Sequence, residues 1–387
     1  MNTGYRPLRR ADTRMMMLSC GARGAVTLLL LVAGSSGQTH DTAHARTPAS
    51  PTQTVDSSTQ LEPWPREPEI AGWRKPKAPP KRWLGLIGEY GPEREPLYIL
   101  ERARRLWALL GRGEAWPLDE VSLTLFRLAT GPYEKQTLVF TRDSRARGTT
   151  ATVANVVYDR RQVGPLEGSG QLRVEPLRPV AELLKEAMAA EPPKESGDFR
   201  QSDLLELVKL DPSITLDIRY ATTNNFLGSV FYAEARAFLQ RPAALAVAHA
   251  HRVLKQSGYG LLIHDGYRPW YVTKTFWDAT PDSKKWLVAD PASGSRHNRG
   301  AAVDLTLYEL KSGRPVEMPS TYDESTPRAY AFYPGGTDLQ RWHRALLRRV
   351  MEAEGFAVNP REWWHFDYKD WQSYRIGNVP FAQIKSE

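Results

Sequence analysis

Cysteine is almost missing: the 387 residues contain one, Cys20. A disulfide framework is therefore excluded, and so are metal sites built on thiolates. The surplus of one charge sign is also small. Fifty-two basic residues face 44 acidic ones for a net charge of +8, and residues 1–38 supply half of it. The remainder is too thin and scattered to grip a phosphate backbone, so no nucleic-acid partner is expected. The longest apolar run, residues 25–33, is about half of the roughly 20 residues a helix needs to span a bilayer. No stable membrane span is expected in the mature chain. Internal repeats and a glycine-rich phosphate loop are absent as well.

What is present begins with an address. Arginines, the apolar run and then small residues follow the order of a secretory signal, so residues 1–38 are read as a signal peptide that sends the chain to the periplasm or outside the cell. Cys20 precedes the apolar run and leaves with the signal. Residues 39–80 are rich in Thr, Ser, Pro and charge, lack a sustained apolar period, and are expected to form a disordered linker.

Residues 81–195 carry alternating runs at 121–125, 137–140 and 152–158, the period of strands. Gly131-Pro132, Asp143-Ser144-Arg145 and Gly164-Pro165 punctuate them as turns, which predicts a small, mostly antiparallel β-rich accessory domain, a barrel or a sandwich. Residues 97–110 fit a hairpin turning near Arg104 or a helix, and the hairpin is preferred. A helix is expected over 180–188. The breaker cluster at 191–197 marks the start of a second domain, 196–387. Strand patterns at 216–220, 260–264 and 302–307 mix there with helical ones at 243–256 and 340–354, which predicts an α+β fold.

Six of the eight histidines follow residue 200. His249 and His251, two apart on a helix, point to different faces and read as structural. His264 is read as structural too, and His343, on an arginine-rich helix, as a surface residue. His297 and His365 stand out. The first opens Ser295-Arg296-His297-Asn298-Arg299-Gly300-Ala301-Ala302-Val303-Asp304, a turn leading into an apolar strand that carries Asp304. Taken alone, Asp304 also fits the solvent side of an edge strand. The second lies in Glu362-Trp363-Trp364-His365-Phe366-Asp367-Tyr368, where an unpaired charge is costly. Together His297, Asp304 and His365 offer the two nitrogens and one oxygen of a catalytic zinc site, one Zn2+ per chain. Glu362 is then a free carboxylate for general-base catalysis, its proton affinity raised by apolar walls. Asp265-Gly266-Tyr267-Arg268-Pro269 presents a fixed guanidinium, Arg268, suited to an oxyanion or to a surface salt bridge.

The ordered set Asp-Gly-Tyr-Arg-Pro, Ser-x-His-x-x-Gly-x-Ala-x-Asp and Glu-x-Trp-His resembles the zinc D-alanyl-D-alanine dipeptidases. The likeness spans about residues 204–370 and includes Tyr220-Ala221-Thr222-Thr223-Asn224-Asn225-Phe226-Leu227-Gly228 and Met318-Pro319-Ser320-Thr321-Tyr322-Asp323. It implies zinc on His297, Asp304 and His365, Glu362 as base and Arg268 as transition-state stabiliser. It adds Asp323 as acceptor of the substrate's ammonium group, with Ser295 and Tyr220 lining the site. The implied substrate is a small D,D-dipeptide. Two alternatives stay open: a D,D-carboxypeptidase acting on peptidoglycan stem peptides, and a catalytically silent zinc-containing cell-wall binding module. Arg296, beside His297, is expected to add a cation near the metal.

Overall fold

The computed structural model describes residues 74–385 apart from 112, 132 and 164–171. The signal peptide, most of the linker and the Gly164-Pro165 turn lie outside the described residues. Among the described residues no helix is long and apolar enough to cross a membrane.

After a short helix α1 (Lys81–Leu84), eight strands follow in sequence order: β1 (Gly88–Tyr90), β2 (Leu97–Arg102), β3 (Arg105–Leu110), β4 (Ala115–Glu120), β5 (Leu125–Leu128), β6 (Thr137–Arg142), β7 (Gly148–Val153) and β8 (Val156–Asp159). Each pairs antiparallel with the next. The sheet closes where Tyr90 bridges Arg160, and Arg161 N donates to Glu89 O at 2.8 Å. The expected β-rich region is thus an up-and-down barrel, and closure removes the edges that would otherwise invite pairing.

The double reading of residues 97–110 has a physical cause, because both faces of this hairpin are buried. Leu97, Ile99, Leu106 and Ala108 belong to the barrel's inner core, with Phe126 and Phe140. Tyr98, Leu100, Leu109 and Trp107 form a second cluster around Tyr333. The chain turns at Ala103 and Arg104, both at positive φ (49° and 60°), as two-residue hairpin loops require. Two other expectations are corrected. Residues 152–158 are not one strand: Ala154 and Asn155 (φ 50° and 62°) turn the chain from β7 into β8. Residues 121–124 form a bend, because Ser122 Oγ accepts from the amides of Thr124 and Leu125 (3.3 and 3.1 Å) and replaces ladder partners locally.

The second half contains α2 (Val180–Ala189), β9 (Leu204–Glu206), α3 (Leu207–Leu210), β10 (Thr215–Leu216), β11 (Phe238–Gln240), α4 (Arg241–Gln256), β12 (Tyr259–Asp265), α5 (Trp270–Ala279), β13 (Ala302–Glu309), α6 (Asp338–Ala353), β14 (Phe356–Asn359) and β15 (Glu362–Tyr368). Its main sheet runs β10-β12-β13-β15-β14. Only β10 and β12 are parallel, and β9 pairs separately with β11. The α+β expectation fits this arrangement. The strand expected at 216–220 ends at Leu216, and a 3-10 turn at Arg219–Ala221 carries Tyr220 inward. Helix α2 packs on α5, and its stripe of Val180, Leu183 and Ala187 joins the core of this second half. The amphipathic stripe of α2 is thus covered by a neighbour that lies beyond the breaker cluster at 191–197.

His343 is a correction: it is buried, with Nε2 at 3.1 Å from the Tyr259 hydroxyl and Nδ1 at 3.2 Å from Glu317 O. Burial pushes its pKa down to about 4. The arginines beside it do not form a solvated face either. Arg341 donates to Gly336 O (3.0 Å) and to Glu101 O of the barrel (2.5 Å), and Arg344 donates to Tyr333 O (2.9 Å). His251 and His264 are buried as structural residues, the latter stacked on Tyr322 with ring centroids 4.4 Å apart.

Gly300 ends the 3-10 turn that carries His297, at φ 64°. A Cβ there would lie 2.7 Å from Leu204 Cδ2. Gly300→Ala is expected to lower stability by about 1–3 kcal/mol, read as an earlier midpoint in denaturant unfolding.

Candidate active site

Cross-strand register builds the site. Asp304 of β13 lies opposite Asp265 of β12 on one side and opposite His365 of β15 on the other. An irregularity between Ile263 and Asp265 shifts the register locally and aligns this row. Far from being an edge, β13 is the centre of the sheet and Asp304 is buried. His297 comes from the turn before β13, Arg268 from the turn after β12, and Glu362 opens β15.

Three donor atoms converge. His297 Nε2 is 3.1 Å from His365 Nδ1 and 3.4 Å from Asp304 Oδ1, and the last two are 3.0 Å apart. Among the described residues this is the group of three or more His, Asp or Glu placed to hold a metal ion. Four ligands in a tetrahedron with bonds of about 2.0–2.1 Å stand roughly 3.3 Å apart, so the spacing and the donor types fit a zinc-sized cation. The outward atoms are already engaged. His297 Nδ1 faces Gly266 O at 2.8 Å, His365 Nε2 faces Asp367 Oδ1 at 2.9 Å, and the Tyr322 hydroxyl donates to Asp304 Oδ2 at 3.0 Å. Such partners fix which nitrogen is turned to the ion.

The electrostatics follow from this packing. Burial alone would raise the Asp304 pKa, yet the imidazoles of His297 and His365 hold it well below the usual aspartate range. Burial disfavours charge on His365, but Asp367 and Asp304 together hold its pKa well above the ordinary value. Arg296 lines the same pocket and reaches the cluster through Asp367. Its Nε pairs with Asp367 Oδ2 at 3.3 Å and its guanidinium lies 4.8 Å over the Trp371 ring.

Glu362 stands apart from the three donors, with Oε2 3.8 Å from His365 Nδ1 and accepting from Asn359 Nδ2 at 3.0 Å. Burial pushes its pKa up; the two imidazoles and Arg268 oppose this, and Asp304 adds to it. Arg268 is buried. Asp265 Oδ2 accepts from its Nε and Nη2 (3.0 and 2.7 Å), and the guanidinium lies 5.1 Å from both the Tyr220 and Phe276 rings. Burial works against its charge, but Asp265 and the surrounding tyrosines keep its pKa well above normal. The surface salt bridge is thus replaced by an internal one.

A cavity of about 800 Å³ is lined by Tyr220, Arg268, Ser295, His297, Asp304, Asp323, Glu362 and His365, so all eight residues singled out in the sequence share one pocket. Ser295 also serves its own turn, its Oγ accepting from Asn298 N at 3.3 Å. Asp323 is half-buried at φ 57°, and its enclosed Oδ2 has no hydrogen-bond partner among the described residues. Three contributors were missed in the sequence: Asp265, Asp367 and Tyr322. The signal for Asp367 was there, since residues two apart on a strand share a face and His365 is two before it.

Burial, with Asp304 and Glu362 nearby, raises the Asp323 pKa to about 8 from 3.8. The unfolded chain then loses this proton before the folded one, so the carboxylate makes folding progressively less favourable as pH rises from about 4 to about 8. Asp323→Asn, which tolerates the same φ, is expected to raise the melting temperature of the metal-free protein at neutral pH. The gain, of the order of a few kcal/mol, should vanish below about pH 4.

A family model described as D-ala-D-ala dipeptidase matches residues 200–383. A D-alanyl-D-alanine dipeptidase of Escherichia coli K12 is 34% identical over 175 residues, 45% of this chain and 89% of the relative. One from Enterococcus faecalis is 32% identical over 188 residues, covering 44% and 93% respectively. Another from Streptomyces coelicolor is 32% identical over 193 residues, covering 45% and 93%. The family match begins after the barrel and contains the whole convergent cluster, from Tyr220 to His365. On these grounds the chain belongs to the D-alanyl-D-alanine dipeptidase family of metallopeptidases.

Proposed function

We propose that this protein hydrolyses D-alanyl-D-alanine and similar D,D-dipeptides with one zinc ion held by His297, Asp304 and His365. The observation that carries the reading is the convergence of two nitrogens and one oxygen within 3.4 Å of one another, beside a glutamate that is not part of the triad. Zinc in such a site supplies Lewis acidity toward the carbonyl and toward water. The chain's own groups do the rest. Glu362 takes the proton of the attacking water and passes it to the departing nitrogen, a role suited to a carboxylate whose pKa is raised. Arg268, locked by Asp265 and two aromatic faces, needs no reorganisation to meet the negative charge that develops on the carbonyl oxygen. Asp323 accepts the free ammonium group, and Tyr220 and Ser295 shape the walls around the dipeptide.

A carboxylate with one oxygen enclosed and without a hydrogen-bond partner favours a dipeptide over the D,D-carboxypeptidase alternative, because an acylated nitrogen brings bulk and no charge to Asp323. Glu362 and Arg268 argue against a silent binding module, which needs neither. The leader of residues 1–38 supports export, and hence a periplasmic or secreted place of action.

Free D-Ala-D-Ala should be cleaved faster than an N-acylated tripeptide ending in D-Ala-D-Ala; the reverse preference would select the carboxypeptidase. Glu362→Ala is expected to lower kcat by about 10²–10⁴-fold with zinc content unchanged, measured by amine release and metal analysis. Asp367→Ala is expected to weaken zinc binding by about 10–100-fold in competition with a chromophoric chelator.

A further inference from the structure

We infer that the barrel is part of the substrate-recognition apparatus: it holds the loop that carries Asp323, with Arg328 and Glu89 as positioning residues for that carboxylate. The inference rests on the role proposed above for Asp323.

Between β13 and α6 the chain runs through residues 310–337 with a single 3-10 turn at Pro327–Ala329 and no strand or helix. A connection this long needs support from outside itself to keep one conformation. Asp323 sits within it at a left-handed φ of 57°, its Oδ2 buried and unpartnered. A carboxylate with an enclosed, unsatisfied oxygen in that backbone region stays in place only if its flanks are fixed.

One flank is tied to the metal cluster through the Tyr322 hydroxyl, which donates to Asp304 at 3.0 Å. The other is tied to the barrel. Glu324 accepts from Thr321 N (3.2 Å) and Thr326 Oγ1 (2.6 Å) and pairs with Arg328 (3.4 Å). Arg328 in turn donates to Pro319 O at 2.7 Å, across the base of the loop, and to Val163 O, just past β8, at 2.9 Å. Further along, the Tyr333 hydroxyl donates to Glu89 Oε1 of β1 at 2.8 Å, and the other oxygen of Glu89 faces Arg161 at 3.2 Å. Tyr330, packed against the outer cluster of β2 and β3, lines the pocket, and so does Glu93 from the β1–β2 connection. The hairpin's outer apolar face therefore has a use beyond closing the barrel.

The test compares wild type with Arg328→Met and Glu89→Gln, each as the full zinc-loaded chain. Each variant is expected to raise KM for D-Ala-D-Ala about 5–20-fold with kcat within about two-fold and zinc content unchanged. The preference for D-Ala-D-Ala over its N-acetyl form should fall by a similar factor. Hydrogen exchange across residues 319–333 should accelerate in both. Unchanged KM, preference and exchange in folded variants overturn the inference, as does a loss confined to kcat. If Arg328→Met does not fold, Tyr333→Phe removes one hydroxyl and is read by the same ratio and the same exchange. Should wild type leave D-Ala-D-Ala intact, the functional reading falls, while exchange still decides whether the barrel holds the loop.

Discussion

The pairing of β13 with β15 sets the positions on which the rest of the site depends. Val303 faces Phe366 and Asp304 faces His365 in that ladder, and the two kinds of pair point to opposite sides of the sheet. Val303 and Phe366 are fully buried in the core, while Asp304 and His365 meet at the pocket. A slip of one residue would exchange the faces, placing two charged groups in the core and two large apolar ones in the site. The hydrophobic requirement and the chemical one thus specify the same register.

Charge placement follows the same economy of position. Signs alternate outward from the cluster: Asp304, then His365, then Asp367, then Arg296 over Trp371. Each buried charge meets its opposite, which is the condition under which burial is tolerated. The Asp265–Arg268 pair repeats the pattern on the neighbouring strand. Asp323 is the exception, half-buried with Oδ2 enclosed and without a hydrogen-bond partner among the described residues, which is why the proposed reading gives it a cationic substrate group.

The barrel changes how the family match should be viewed, since a domain that begins before residue 200 lies against the loop that shapes the pocket. Its docking depends on alternation within one hairpin. Inward residues of β2 and β3 fill the barrel, and outward ones meet Tyr330 and Tyr333. Arg341, inside α6, joins the two halves again through Glu101.

Much of this was legible in the chain itself. The period-two runs of 137–140 and 302–307, the helical stripes of 243–256 and 340–354, and the ordered residue types around His297, Asp304, Glu362 and His365 are local properties, and local sterics and burial preferences set them. Non-local partners decided the rest: His343, expected at the surface, is buried because Tyr259 from another strand covers it, α2 packs where α5 offers it a surface, and 97–110, the preferred hairpin, fitted a helix as well because two different cores claim its faces. The sequence by itself determined which donors and which carboxylate are available and at what spacing. Only the tertiary structure decided that β12, β13 and β15 bring them into one row and that the barrel braces the loop beside them, because convergence arises from strand register and packing between residues far apart along the chain.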